Sequence, residues 1–136
     1  NHLMGNTTAK YRLMLTQGDQ IMAAATFGRS VPAMRNGNEV KSHELIRFCH
    51  RKGYHVSGGL TKLIAHFRIM AEPQDIFTSV DREWSTGRGY AHIGFKTISH
   101  TAPLCFHIDN EYNRHRHIEN GIRICNAGNV RMALTF

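Results

Sequence analysis

A chain of 136 residues, 41% hydrophobic and 20% charged, reads as one globular domain with a real core and is too short for two ordinary domains. No apolar run approaches the ~18 residues that span a bilayer and residues 1–20 show no secretory pattern, so no membrane helix is expected within these residues. A formal net charge of +7 points to an anionic partner, nucleic acid before others, with a merely basic surface as the alternative.

The chain opens at Asn1 rather than at a methionine, so further amino-terminal residues or a fused amino-terminal domain are expected before it. Residues 1–8 read as the stub of a helix or loop. Residues 10–16 alternate loosely, Gly18-Asp19 marks a turn and residues 21–27 are apolar, which together suggest a hairpin. Residues 28–40 carry Pro32, Gly37 and several polar side chains and read as an exposed connection. Residues 42–50 read as a strand. Alternation sets His43, Arg47 and Cys49 on one side of it and Glu44, Ile46 and Phe48 on the other.

The next segment is the most informative. Val56-Ser57-Gly58-Gly59-Leu60-Thr61-Lys62 leads through two glycines into a helix over residues 60–71, where Leu60, Leu63, Ile64 and Phe67 share one face and Pro73 stops the run. A strand, a glycine turn and a helix start leave backbone N–H groups unpaired at the positive end of a helix, a geometry that holds phosphates and pyrophosphates. A tight strand-to-helix connection without a ligand is the alternative. Residues 75–80 then form a short buried strand, and a polar loop, 81–88, precedes a brief helix at 89–93 ended by Gly94. Strands are expected at 96–99 and 104–108, and a closing hairpin at 122–125 and 130–134 that turns at Gly128-Asn129. The sum is an α/β or α+β domain around a mixed sheet.

Asp81 follows a buried strand, where open α/β sheets gather their reactive side chains, and it can accept a proton from an amine; Tyr90, nine residues on, can donate one to a leaving group. The alternatives are a cap or a salt bridge to Arg82 for Asp81, and a core aromatic for Tyr90. Trp84, between Arg82 and Arg88, suits stacking on a nucleobase while the arginines hold phosphates; a hydrophobic lid over the sheet edge is the other reading. Arg47 can reach a ligand at the glycine turn or pair with Glu44 or Asp81. Arg114, His115, Arg116 and His117 make a basic run that fits a nucleic-acid contact or a solvated helix face.

Cys49, Cys105 and Cys125 are odd in number, far apart and flanked by apolar residues, which favours buried free thiols in a reducing compartment. Among the ten histidines, Cys49-His50, Cys105-x-His107 and His115-x-His117 offer paired ligands but never a pair of pairs, so no metal is expected.

Taken in order, Asn1-His2-Leu3-Met4-Gly5, Thr26-Phe27-Gly28, His43 to Cys49, Val56 to Phe67, Asp81-Arg82-Glu83-Trp84-Ser85 with Gly87 and Tyr90, Gly94-Phe95 and Cys125-Asn126-Ala127-Gly128-Asn129 resemble a phage-borne domain found carboxyl-terminal to nuclease domains in homing-endonuclease-like proteins. That domain is similar to the Mom type of phage DNA-modification protein, and both resemble divergent members of the GNAT acyltransferase fold. The resemblance covers nearly all of residues 1–136. It implies a mixed, mostly antiparallel central sheet flanked by helices, and a transferase that modifies a base amine of DNA.

The resemblance also implies acetyl-CoA or a related acyl-CoA at Val56, Ser57, Gly58, Gly59, Leu60, Thr61 and Lys62. Asp81 and Tyr90 would serve the chemistry, and Arg47, Arg82, Trp84, Arg88, Arg114 and Arg116 would meet the nucleic acid. Its cytoplasm would be that of a host cell. Where GNAT proteins carry Arg/Gln-x-x-Gly-x-Gly/Ala, this chain has His55-Val56-Ser57-Gly58-Gly59-Leu60, with only the first glycine in register. The basic segment of phage relatives is shortened here to residues 109–120. A second outcome of the same fold is a non-catalytic DNA-binding accessory module of a homing-endonuclease-like system, and a third is a structural subunit of a nucleoprotein assembly.

Overall fold

The computed structural model describes residues 8–136, so the amino-terminal stub expected at residues 1–8 lies almost wholly outside the described residues. Nine strands and two helices follow in the order β1 (Tyr11–Gln17), β2 (Gln20–Arg35), β3 (Asn38–His50), α1 (Gly59–Ala71), β4 (Asp75–Asp81), α2 (Arg88–His92), β5 (Lys96–His100), β6 (Cys105–Ile108), β7 (Arg114–His115), β8 (Ile122–Cys125) and β9 (Asn129–Thr135). One sheet has the order β1-β2-β3-β4-β9-β5 and a second, smaller one the order β7-β6-β8. The β1–β2, β2–β3, β6–β7 and β6–β8 pairs are antiparallel and β3–β4 is parallel, so the fold is mixed α+β with mostly antiparallel pairing. The expected helical flanks are only partly present, because α2 is five residues long and α1 is the one substantial helix described. The chain divides into two compact units: residues 8–78 with 133–136, and residues 79–132.

In the first unit, the apolar stripe of α1 buries Leu63, Ile64, Phe67 and Ala71. Phe67 is fully buried and stacks on Phe27 at 3.9 Å, with Tyr11 and His43 edge-on to it. Phe27, Leu45, Ala23 and Ala25 supply the sheet side of this core. Helix α1 ends where Glu72 turns left-handed, and Lys41 Nζ donates to the Ala71 carbonyl at 2.9 Å, a cation at the negative end of the helix.

The parallel β3–β4 pairing is the signature of a crossover through α1. It runs from Ser42–Asp75 to Glu44–Phe77. At the next step the Thr78 hydroxyl donates to the Leu45 carbonyl at 3.0 Å, so a side chain takes the place of a backbone donor.

Residues 28–40 are not a connection. They form the far arm of a long β2–β3 hairpin, paired from Ser30–His43 to Arg35–Asn38, with the turn at Asn36 (φ 52°) and Gly37 (φ 81°). Two successive positive φ values are what an Asn-Gly hairpin turn requires. The arm is largely exposed, so it lacks the apolar alternation that marks a half-buried strand, and Pro32 sits beyond the stretch of β2 that pairs with β1. Arg35 anchors the arm: its Nε and Nη2 donate to Asp75 at 2.6 and 3.2 Å, and the Ser42 hydroxyl donates to the same fully buried carboxylate.

In the second unit Val80, Phe95, Val130 and Met132 are buried. Gly87 lies against Met132, where an added Cβ would fall 2.8 Å from Sδ. The expected hairpin of residues 122–125 with 130–134 does not form. Instead β8 pairs with β6, residue for residue from Cys105–Cys125 to Ile108–Ile122, while β9 joins the large sheet. The thiol assignment is overturned with it. Cys105 and Cys125 are directly opposed and joined in a disulfide, and Cys49 is a free cysteine that is exposed rather than buried.

Candidate functional site

The glycine turn comes after β3 ends at His50. The Gly59 N–H donates to the Val56 carbonyl at 3.0 Å, and the Lys62 N–H donates to the Gly58 carbonyl at 3.0 Å, which closes the first helical turn. Gly58 is the N-cap residue, left-handed at φ 65°, with no side-chain cap bonding to the helix and no acidic residue in the first turn. The two glycines do different work. A Cβ at Gly58 would meet nothing within 4 Å, so its glycine serves the left-handed backbone and leaves the helix start open. A Cβ at Gly59 would lie 3.2 Å from Val56 Cβ and 3.6 Å from Leu15 Cδ1, so that glycine serves close packing. Val56 and Leu60 are half-buried, while Ser57, Thr61 and Lys62 are exposed around the turn. An uncapped helix start free of acidic side chains favours an anion. Arg47 is half-buried on β3, opposite Thr26 of β2.

Asp81, at the end of β4, belongs to the second unit. Its Oδ1 accepts the Glu83 N–H at 2.9 Å and its carbonyl accepts the Trp84 and Ser85 N–H groups. Its Oδ2 accepts Asn126 Nδ2 at 3.0 Å. Neither structural alternative for Asp81 is the one present: the carboxylate braces the turn after β4, and the N-cap of α2 is Gly87. Arg82 does not pair with it and donates to the Ala127 carbonyl at 3.3 Å.

Asn126 is a functional candidate that sequence reasoning missed, although Asn126-Ala127-Gly128-Asn129 was one of the blocks carrying the resemblance. Its Oδ1 accepts the Leu104 and Gly128 N–H groups at 2.8 and 2.9 Å, and its Nδ2 donates to Asn129 Oδ1 at 3.0 Å as well as to Asp81.

The Trp84 indole is 73% exposed, so it is no lid over the sheet edge and is free to stack on a flat ligand. Arg88 is exposed at the start of α2, and Tyr90 is half-buried with its ring edge-on to Phe95 at 5.5 Å. The basic run is not a helix face. Arg114 lies in β7 with its guanidinium 4.3 Å from the Phe106 ring centre, and Arg116 is exposed beyond it. Nearby, the His115 hydrogen bond, then the Asn113 N–H, hold the Asp109 carboxyl down at about 2. The sequence candidates therefore fall into groups: Val56 to Lys62 and Arg47 in the first unit, Asp81 to Tyr90 in the second, and Arg114 and Arg116 on the small sheet.

Among the described residues, no group of three or more His, Cys, Asp or Glu side chains is placed to hold a metal, and no helix is long and apolar enough to cross a membrane. No protein-family model matches the chain, and no curated protein matches it. Among solved structures it is similar to a Desulfovibrio desulfuricans protein assigned to the GNAT family of acetyltransferases, with a TM-score of 0.58 and 16% identity over 91% of this chain and 68% of that one. At such identity the likeness establishes the fold, which is GNAT-like.

Proposed function

We propose that this GNAT-like chain is a transferase of the Mom-like phage type, acting on a base amine of DNA with an acyl-CoA-type donor. The observation that carries the reading is the uncapped start of α1 behind left-handed Gly58, open in front and free of acidic side chains. Val56, Ser57, Gly58, Gly59, Leu60, Thr61 and Lys62 would hold the donor's diphosphate, and the donor when bound supplies an activated acyl thioester. Asp81 would take a proton from the acceptor amine and Tyr90 would give one to the leaving thiolate. Exposed Trp84 would stack on the base, with Arg47, Arg82, Arg88, Arg114 and Arg116 meeting phosphates.

A non-catalytic DNA-binding accessory module is the second reading, favoured by a specific observation: both oxygens of Asp81 already hold the local fold, through the Glu83 N–H and Asn126. Incubation with duplex DNA and acetyl-CoA, followed by digestion to nucleosides and mass spectrometry, separates the two. An acylated nucleoside supports the transferase. Salt-sensitive DNA binding with unmodified nucleosides supports the module, and neither DNA binding nor modification sinks both.

A further inference from the structure

Within the second unit, residues 105–125 form a small three-stranded arm, β7-β6-β8. No residue between Cys105 and Cys125 is buried, so no hydrophobic core orders it. Its order rests on the β6–β8 ladder, on the Asp109 carboxylate that gathers Glu111, Asn113 and His115, and on the cross-strand disulfide at its base. Both cysteines are exposed, and the Arg123 guanidinium donates to Cys105 Sγ at 3.4 Å. A cation on one sulfur and not on the other makes the bond chemically lopsided, because thiol exchange is fastest when the departing sulfur is the better-stabilised thiolate.

We infer that Cys105–Cys125 is a thiol-exchange site for low-molecular-weight thiols of the glutathione class, and that its state sets the order of the three-stranded arm that carries Arg114 and Arg116. The thiolate of the small thiol attacks Cys125 Sγ. The bond between the two protein sulfurs breaks, and its electron pair leaves on Cys105 Sγ beside the Arg123 guanidinium. Cys125 is then a mixed disulfide. A second small thiolate attacks the small molecule's sulfur in that bond, releasing the oxidised small disulfide and a Cys125 thiolate. Two thiols are oxidised, one protein disulfide is reduced by two electrons, and the thiol protons end on the two cysteines. Opening the bond removes the one covalent tie across the ladder, and Arg114 and Arg116 lose their fixed placement with it.

The test uses reduced glutathione on the Cys49→Ser chain, so that the exposed third thiol takes no part. Brief exposure followed by iodoacetamide and peptide mass spectrometry is expected to find glutathione on Cys125 and the alkyl group on Cys105. Arg123→Gln is expected to slow opening on the order of fivefold and to erase that preference. Hydrogen exchange of amides within 106–124 is expected to rise at least tenfold on opening, with those of Leu45 and Ile76 unchanged. Resistance to millimolar glutathione, glutathione on Cys105 instead, an Arg123→Gln rate equal to the parent's, or arm amides as protected after reduction as before would each overturn the inference. A Cys105→Ser/Cys125→Ser chain should show the same fast exchange without any thiol. Should that variant fail to fold, the glutathione-treated parent supplies the same readout.

Discussion

Asn126 is the buried polar side chain among the described residues of the second unit, and its loss should be felt well beyond its size. It is 8% exposed and makes four hydrogen bonds, to the Leu104 and Gly128 N–H groups, to Asn129 and to Asp81. Asn126→Ala strands two backbone donors and removes a neutral partner from a carboxylate. At ~1 kcal/mol per lost bond, with a further penalty for buried donors left unpaired, the expected loss is about 3–5 kcal/mol.

Asn126→Asp is the sharper perturbation. It keeps an acceptor for Leu104 and Gly128 but sets a second carboxyl where Nδ2 stood, 3.0 Å from Asp81 Oδ2. Two carboxylates that close cannot both ionise freely, so the introduced group is held above the ordinary carboxyl range and the pair shares a proton. A group raised on folding contributes stability that is fully present below its unfolded value and lost as pH rises through its folded one. Urea denaturation across pH 3.5 to 8 should therefore show the variant closest to the parent in acid and furthest from it at neutral pH. A loss below ~1 kcal/mol in Asn126→Ala, or a pH-independent gap in Asn126→Asp, would refute the reasoning.

Arg35→Met leaves the fully buried Asp75 carboxylate with Ser42 but no cation, so a loss of about 3–5 kcal/mol is expected by denaturant titration, and adding Asp75→Asn should recover much of it. Asp109 is lowered from 3.8 to about 2 on folding, so its contribution is complete above about pH 4 and is lost as pH falls toward 2; NMR of the Asn113 amide should follow that window, and Asp109→Asn should abolish the dependence.

The helical periodicity of Leu60, Leu63, Ile64 and Phe67 gave α1 to within one residue, because a buried stripe must repeat at helical spacing. Strands β1, β4 and β8 were legible from alternation, from a short apolar run or from the turns bounding them. Residues 28–40 were not, because an exposed ribbon buries neither face and so writes no alternation; the local sign was Asn36-Gly37. The partner of β8 was hidden by distance: adjacency favoured β9, while the true partner, β6, lies across a 20-residue separation closed by the disulfide. At the candidate site, the glycine pair was visible as a turn, but only backbone angles distinguish left-handed Gly58 from close-packed Gly59. Asp81 stood out as an acidic group after a strand, whereas Asn126, 45 residues away, had no pattern to announce that it braces that carboxylate.

The central claim is that the start of α1 receives the diphosphate of an acyl-CoA-type donor, and calorimetric titration with coenzyme A tests it most directly. Gly58→Ala is the matched variant, since its methyl enters open space before the helix start and costs only about 1–2 kcal/mol for the left-handed backbone, a loss that a thermal melt run alongside will register. The account expects saturable binding by the parent and at least tenfold weaker binding by a folded Gly58→Ala. A parent that takes up no coenzyme A, or a folded variant that binds it as the parent does, would contradict it.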